Sequence, residues 1–252
     1  MAMDLLSNLP PELKLLIANQ LQQDLPLQTS LPFAKWRKDD KIFSTVEQTD
    51  FRSELVPESA IEQLLTEGIA IVDDFLPSAM LSECLYALNS KCMDLRPAKM
   101  NTSSATWSDR AIRGDEVRFL TDDQMLCPAT DAVVKQLQKL GDDLGRSIGL
   151  KKKHAEIQLA CYSMQGSKYE PHIDSTVSNA PGRVITAVLY LSDNDWKSSD
   201  GGCLRLHLAD ATRDISPITN RLVLFASKWL VHEVLPVHTT RSALSSFIHY
   251  DK

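Results

Sequence analysis

The sequence predicts an α+β protein in which helices come first and a β-barrel-like half follows. Three observations carry that expectation. Apolar residues recur at helical spacing up to about residue 150. After Lys151-Lys152-Lys153 the texture changes to short β-rich runs, separated by turn residues at intervals of roughly 8–15 residues, the pattern of a sandwich or barrel. The composition, 43% hydrophobic and 24% charged over 252 residues, supplies enough apolar material for a real core, as one large domain or two small ones. Helices followed by strands suggest helices packed on one face of a β core.

Taken in order, the first 50 residues stand apart. Leu13, Leu16, Ile17, Ala18 and Leu21 follow helical spacing behind Pro10-Pro11-Glu12, a suitable helix entry. Pro26, Pro32 and the polar run Lys35 to Asp40 then read as a linker, which divides the chain into an N-terminal arm and linker (1–50) and a folded domain (51–252). Residues 57–67 predict a helix closed by Gly68, and Ile69 to Val72 a short apolar strand. Two more helices are expected over 77–93 and 130–149. The second carries Val133, Val134, Leu137, Leu140, Leu144 and Ile148 on one face. Strands are expected within 157–164, 183–192, 201–209, 220–227, 232–237 and 242–250.

The charge balance excludes some functions. With 27 Lys+Arg against 33 Asp+Glu the net charge is −6, the reverse of what a general nucleic-acid binder needs to displace counterions from phosphates. No run of about 18 apolar residues exists to span a membrane. The start, MAMDLLSNLPPELKLL, lacks a basic segment leading into an apolar one, so no signal peptide is expected. The five cysteines form no C-x-x-C pair and read as free thiols of a reducing, cytoplasmic setting.

Of the six histidines, His172 is the informative one, because Asp174 follows two residues later. At a strand or its exit, residues i and i+2 point to the same side and can converge on one ion. A lone H-x-D is also a common surface dipeptide, so a third ligand from a distant strand is required. His232, in a strand-like segment 60 residues on, offers it, and His238 competes. Two imidazoles and a carboxylate on one face of an octahedron leave positions open for substrates, as in non-haem Fe(II) oxygenases. His154, after three lysines, reads as exposed, His207 as turned to solvent, and His249-x-Asp251 as a strand terminus.

Arg241 separates the two candidates for third ligand. An oxygenase of this type holds 2-oxoglutarate, whose far carboxylate suits a guanidinium fork better than an ammonium. Arg241 lies nine residues after His232, whereas the same step from His238 reaches Phe247. Fe(II), Asp174, 2-oxoglutarate and Arg241 together sum to neutrality, which makes the site cheap to bury. Taken alone, Arg241 also reads as an exposed strand-edge arginine.

The ordered set His172-x-Asp174, His232 and Arg241 resembles the 2-oxoglutarate- and Fe(II)-dependent dioxygenases of the prolyl 4-hydroxylase branch. Gly68 to Leu76, Ala111-Ile112-Arg113-Gly114-Asp115, Ala160-Cys161-Tyr162, Leu189-Tyr190-Leu191 with Asp195-Trp196, Gly201 to Arg205, and His232-Glu233-Val234 are similar to the EGL-nine group of oxygen-sensing prolyl hydroxylases and their bacterial relatives. The resemblance runs from about residue 57 to 251. It implies a double-stranded β-helix (jelly-roll) core flanked by helices, with residues 51–252 as the catalytic domain.

The resemblance also implies roles. His172, Asp174 and His232 would bind Fe(II), and Arg241 would bind the far carboxylate of 2-oxoglutarate. Tyr162 and Tyr190 would donate hydroxyls to the cosubstrate, with Thr186 and Ser245 close by. Arg113 and Asp115 would grip substrate at the entrance. The plain alternatives are packed core aromatics for the tyrosines and a solvated turn with a local ion pair for Arg113 and Asp115. Dioxygen would be the co-reactant, succinate and CO2 the by-products, and L-ascorbate a reductant. The partner would be a protein or peptide, with a translation elongation factor in bacterial relatives or a hypoxia-inducible factor in an animal-like host. Two other readings stand beside this one: a hydroxylase of a free amino acid or small metabolite, and a non-catalytic metabolite-binding module. Several features depart from the animal enzymes. No cysteine-rich zinc finger lies upstream, Phe247 replaces a bulkier indole, and the segments Leu95–Asp109 and Ser163–Pro171 are particular to this chain.

Overall fold

The computed structural model describes residues 33–40, 42–45, 53–90, 93–101, 106–120, 127–175, 182–192 and 195–251. The helix expected at Leu13 to Leu21, and most of the 1–50 arm, lie outside the described residues. The polar run read as a linker holds a short helix, α1 (Phe33–Asp39), followed by a 3-10 turn at Phe43–Thr45. Phe33 and Phe43 are both buried and pack edge-to-face, and Phe33 also meets Trp229 at 4.9 Å between ring centroids. Two aromatics in a charged stretch thus tie residues 33–45 to the main core.

Helix α2 (Glu58–Glu67) buries Ala60, Ile61, Leu64 and Leu65 on one stripe. It ends where expected: Gly68 takes a left-handed φ of 76°, and its N–H bonds the Leu64 carbonyl. Strand β1 (Ile69–Val72) follows, then α3 (Ser78–Ser90), which stops short of the predicted 93. Met93 lies outside the helix, buried in the core, with its carbonyl accepting a bond from Arg118. Helix α4 (Pro128–Ile148) starts with proline in its first turn and buries all six residues of the predicted stripe. The short strands β2 (Arg96–Pro97), β3 (Met100–Asn101), β4 (Thr106–Trp107) and β5 (Glu116–Leu120) lie between α3 and α4.

Among the described residues the second half is β apart from a 3-10 turn at Ser198–Asp200. Its strands are β6 (Lys151–Tyr162), β7 (Tyr169–His172), β8 (Ile185–Tyr190), β9 (Leu204–His207), β10 (Thr212–Ile215), β11 (Leu222–Ala226), β12 (Val231–Val234) and β13 (Arg241–Asp251). They form a large antiparallel sheet in the order β1-β11-β8-β13-β6-β5-β2, and a smaller one in the order β10-β9-β12-β7. On β13, Leu244 and Ile248 belong to the apolar core and Tyr250 donates its hydroxyl to the Gly141 carbonyl of α4 at 2.8 Å. That face is therefore covered by helix. Arg241, Ala243, Ser245, Phe247 and His249 point the other way by strand alternation. They share this face with their β6 partners Tyr162, Ala160, Gln158, Glu156 and His154. Helices cover one face of the large sheet, the small sheet meets the other, and the chemistry lies between the sheets.

Candidate metal centre and cosubstrate pocket

The small sheet supplies two of the expected ligands as a directly opposed pair. His172 ends β7, His232 lies on β12, and the two are Cα partners in register. Asp174 follows just past the strand end, so its side chain returns to the same side. Its Oδ1 lies 3.6 Å from His172 Nε2 and 3.7 Å from His232 Nε2. The three ligand atoms fall within 4.8 Å of one another, close enough to share one ion.

Hydrogen bonds aim these groups. His172 Nδ1 lies 2.8 Å from the Glu170 carbonyl and His232 Nδ1 lies 3.0 Å from the Leu230 carbonyl. A carbonyl can only accept, so each Nδ1 carries the proton and each Nε2 turns a lone pair inward. Thr186 donates its hydroxyl to Asp174 Oδ2 at 2.8 Å, which leaves Oδ1 facing the histidines. Ser227 supplies the next bond, to the Thr186 oxygen, at 2.8 Å. Burial, aided by neighbouring His232, pushes the His172 imidazole well below its ordinary value, keeping it neutral and able to ligate. Tyr169 stacks on His172 with centroids 3.6 Å apart, and Phe225 meets His232 edge-on.

Arg241 opens β13 on the inner face and is buried, not an exposed edge. Its guanidinium carbon sits 5.1 Å from the Tyr162 ring centroid and 4.9 Å from that of Tyr190, on the two strands flanking β13. Burying a guanidinium without an anion is costly. Arg241 Nε and the Tyr190 hydroxyl, both buried, find no hydrogen-bond partner among the described residues. Burial holds both phenols above their ordinary range, so Tyr162 and Tyr190 stay protonated and able to donate. A carboxylate matches this buried cation and its neighbouring hydroxyls in charge and in donors. Ser245 shares the Arg241 face four residues along the strand. Thr186, expected beside the cosubstrate, donates its hydroxyl to Asp174.

Arg113 and Asp115 are not a solvated turn. Asp115 is 2% exposed and accepts two parallel bonds from Arg113, at 2.8 and 3.0 Å. Arg113 also donates to Gln158 Oε1 and lies 4.6 Å from the centre of the Tyr169 ring. Through Tyr169 the pair sits one aromatic ring from His172. His238, the rival ligand, is exposed and joins no ligand cluster among the described residues. Sequence reasoning missed Tyr169, Gln158 and Arg183; the first two meet Arg113 and the third Glu156, each from more than 25 residues away. Arg183 caps Phe247 at 3.8 Å and donates to Glu156 and to the Asp174 carbonyl. The alternation of β6 was the available signal, since Gln158 and Glu156 share a face with Tyr162.

The sequence model of the 2OG-Fe(II) oxygenase superfamily matches residues 157–249, the stretch that holds all three ligand candidates and Arg241. The Homo sapiens protein "Prolyl hydroxylase EGLN3" is 30% identical over 186 residues, covering 71% of this chain and 77% of that protein. Among solved structures, a Pseudomonas putida prolyl-4-hydroxylase is 28% identical with a TM-score of 0.63, over 77% of this chain and 98% of its own. A Trichoplax adhaerens prolyl hydroxylase, solved with a peptide fragment of the hypoxia-inducible factor oxygen degradation domain, is 28% identical with a TM-score of 0.67, over 75% of this chain and 87% of its own. The antiparallel sheets and flanking helices are the jelly-roll arrangement of these neighbours, and the family uses Fe(II), 2-oxoglutarate and O2. The chain belongs to the 2OG-Fe(II) oxygenase superfamily, in its prolyl 4-hydroxylase branch, and is a 2-oxoglutarate-dependent dioxygenase.

Proposed function

We propose that this chain hydroxylates C4 of a prolyl residue in a protein substrate, with formation of succinate and CO2. The observation that supports this most is the buried set itself: two Nε2 atoms and Asp174 Oδ1 converge on one point, while Arg241 and Tyr190 present unpartnered donors on the sheet face that also carries Thr186, the donor to Asp174. The relatives give the substrate class, since those named above are prolyl hydroxylases and one was solved with a bound peptide. His172, Asp174 and His232 would hold the iron. Arg241 would take the far carboxylate of 2-oxoglutarate, with Tyr162 and Tyr190 as flanking donors and Ser245 along the same wall. When bound, the iron supplies the oxidising chemistry, and L-ascorbate would keep it reduced. The chain's own residues hold the ligands in one tautomer, neutralise the cosubstrate and exclude water. Arg113, fixed by Asp115 and Gln158 beside Tyr169, would position the prolyl segment.

A cytoplasmic protein, with a translation elongation factor first in line, is the proposed target. The test treats host-cell lysate with the purified chain, Fe(II), 2-oxoglutarate and air, using His172→Ala as control. Mass spectrometry then searches for one added oxygen. A prolyl adduct made only by the active chain supports the reading and names the target. Succinate formed above the control without any protein adduct would replace it with a small-molecule hydroxylase. No succinate would overturn catalysis.

A further inference from the structure

Away from the His172 centre, the described residues gather a second set of three donors. His154, Glu156 and His249 each offer a ligand atom, and these atoms lie within 4.8 Å of one another. The ladder explains their meeting. His249 is the Cα partner of His154, Phe247 that of Glu156, and the register shifts just after His249, where the ladder passes over Lys153 of β6. All three share the inner face, at the far end of β13 from Arg241. Glu156 is held at both oxygens, Oε1 at 2.9 Å from His249 Nε2 and Oε2 at 2.8 Å from Arg183. His249 is buried, while His154 is exposed and stacks on it with centroids 4.0 Å apart. An ion pair accounts for Glu156 and His249. It leaves the second imidazole, in the directly opposed position, without a reason.

We propose that His154, Glu156 and His249 form a second divalent-metal site, suited to a borderline ion of the Zn2+ class, with solvent completing its coordination. Two imidazole nitrogens and one carboxylate oxygen are the donors such ions take. Arg183 retains Oε2 and thereby orients Oε1 towards the histidines, the part that an outer hydrogen bond plays for a ligating carboxylate. The ion replaces the hydrogen bond between His249 Nε2 and Glu156: an imidazolium gives up its Nε2 proton to solvent, and a neutral ring carries its proton on Nδ1 instead. His154, being exposed, turns out of its stack to bring a nitrogen to the ion.

The charged surroundings permit it. Arg183 offsets Glu156, and Lys153 pairs with Asp251 at 3.8 Å. The His249 hydrogen bond and Arg183 hold Glu156 down at about 2, and burial with neighbouring His249 lowers His154. Both donors are thus deprotonated at neutral pH. The two centres are joined through Arg183, which also donates to the Asp174 carbonyl at 3.3 Å.

Equilibrium dialysis of the metal-stripped full chain against Zn2+, with metal counted by mass spectrometry, tests the proposal. Circular dichroism establishes that each variant is folded. The wild type is expected to hold two ions, His172→Ala/Asp174→Ala one, and His154→Ala and Glu156→Gln one each. Co2+ bound to His172→Ala/Asp174→Ala should show visible absorption that Glu156→Gln, added to that pair, abolishes. Folded His154→Ala and Glu156→Gln chains that bind as many ions as wild type, as tightly, would overturn the site. An ion lost with Glu156→Gln but kept in His172→Ala/Asp174→Ala would support it even if the first centre held nothing.

Discussion

Arg241 shows what one side chain must satisfy here. It is buried between two tyrosine rings, with its Nε unpartnered among the described residues. Lysine keeps the charge but loses the planar fork that grips a carboxylate through two bonds. Arg241→Lys should raise the apparent KM for 2-oxoglutarate by about 10–100-fold, the worth of one or more charge-assisted hydrogen bonds. Succinate formation across cosubstrate concentrations measures it. Thr186 acts one step further out, through Asp174. Thr186→Val removes that donor at nearly equal volume and should weaken Fe(II) or Co2+ binding by about 10–100-fold, whereas Thr186→Ser should restore most of it. Metal titration followed by visible absorption distinguishes the pair; a loss of folding alone would not be rescued by the smaller serine.

Among the elements, the connection from β1 to β11 hangs on Asn220. It adopts a left-handed φ of 66°, and its buried amide bonds both the Leu76 N–H and the Leu76 carbonyl, at 2.8 and 3.0 Å. Asn220→Ala leaves both backbone groups without partners and puts a less tolerant residue at positive φ. A loss of about 2–4 kcal/mol follows from two buried unsatisfied groups, measurable by urea unfolding. Strands of this kind differ in how plainly they can be read. β11 and β8 are apolar throughout and stand out at once. β10, with Thr212, Arg213 and Asp214 exposed, lies at the edge of the small sheet and shows no apolar alternation. The first half of β6, Lys151 to Glu156, buries no residue fully, pairs with β13 but not with β5, and falls outside the strand expected within 157–164.

At the scale of the whole molecule, the site is assembled only when both sheets meet. Asp174 reaches Thr186 on β8 and His232 touches Phe225 on β11, so filling the centre fastens the small sheet to the large one. Mn2+ with 2-oxoglutarate, at about 100 times its dissociation constant, should add about 2.7 kcal/mol to the folded state. For a chain of this size that is a rise in Tm of about 5–10 °C, read by scanning calorimetry. His172→Ala should abolish most of it. The ligand candidates were legible because a histidine and a carboxylate two apart make a local pattern, and Arg241 because its offset from His232 excludes His238. Thr186 on Asp174, Tyr169 under Arg113 and Glu156 with Arg183 were not. Each depends on strand order, which no single stretch of chain encodes.

The pairing of His232 with His172 has one further consequence. Between β12 and β7 the register shifts, Val234 opposing Tyr169 rather than the residue two along from His172. A slip of one residue in this pairing would turn every side chain to the opposite face. Only one alignment places both imidazoles on the same side as Asp174. An ion that needs all three would therefore act as a gauge of correct pairing during assembly, arresting the small sheet in its working alignment and leaving misaligned chains unloaded.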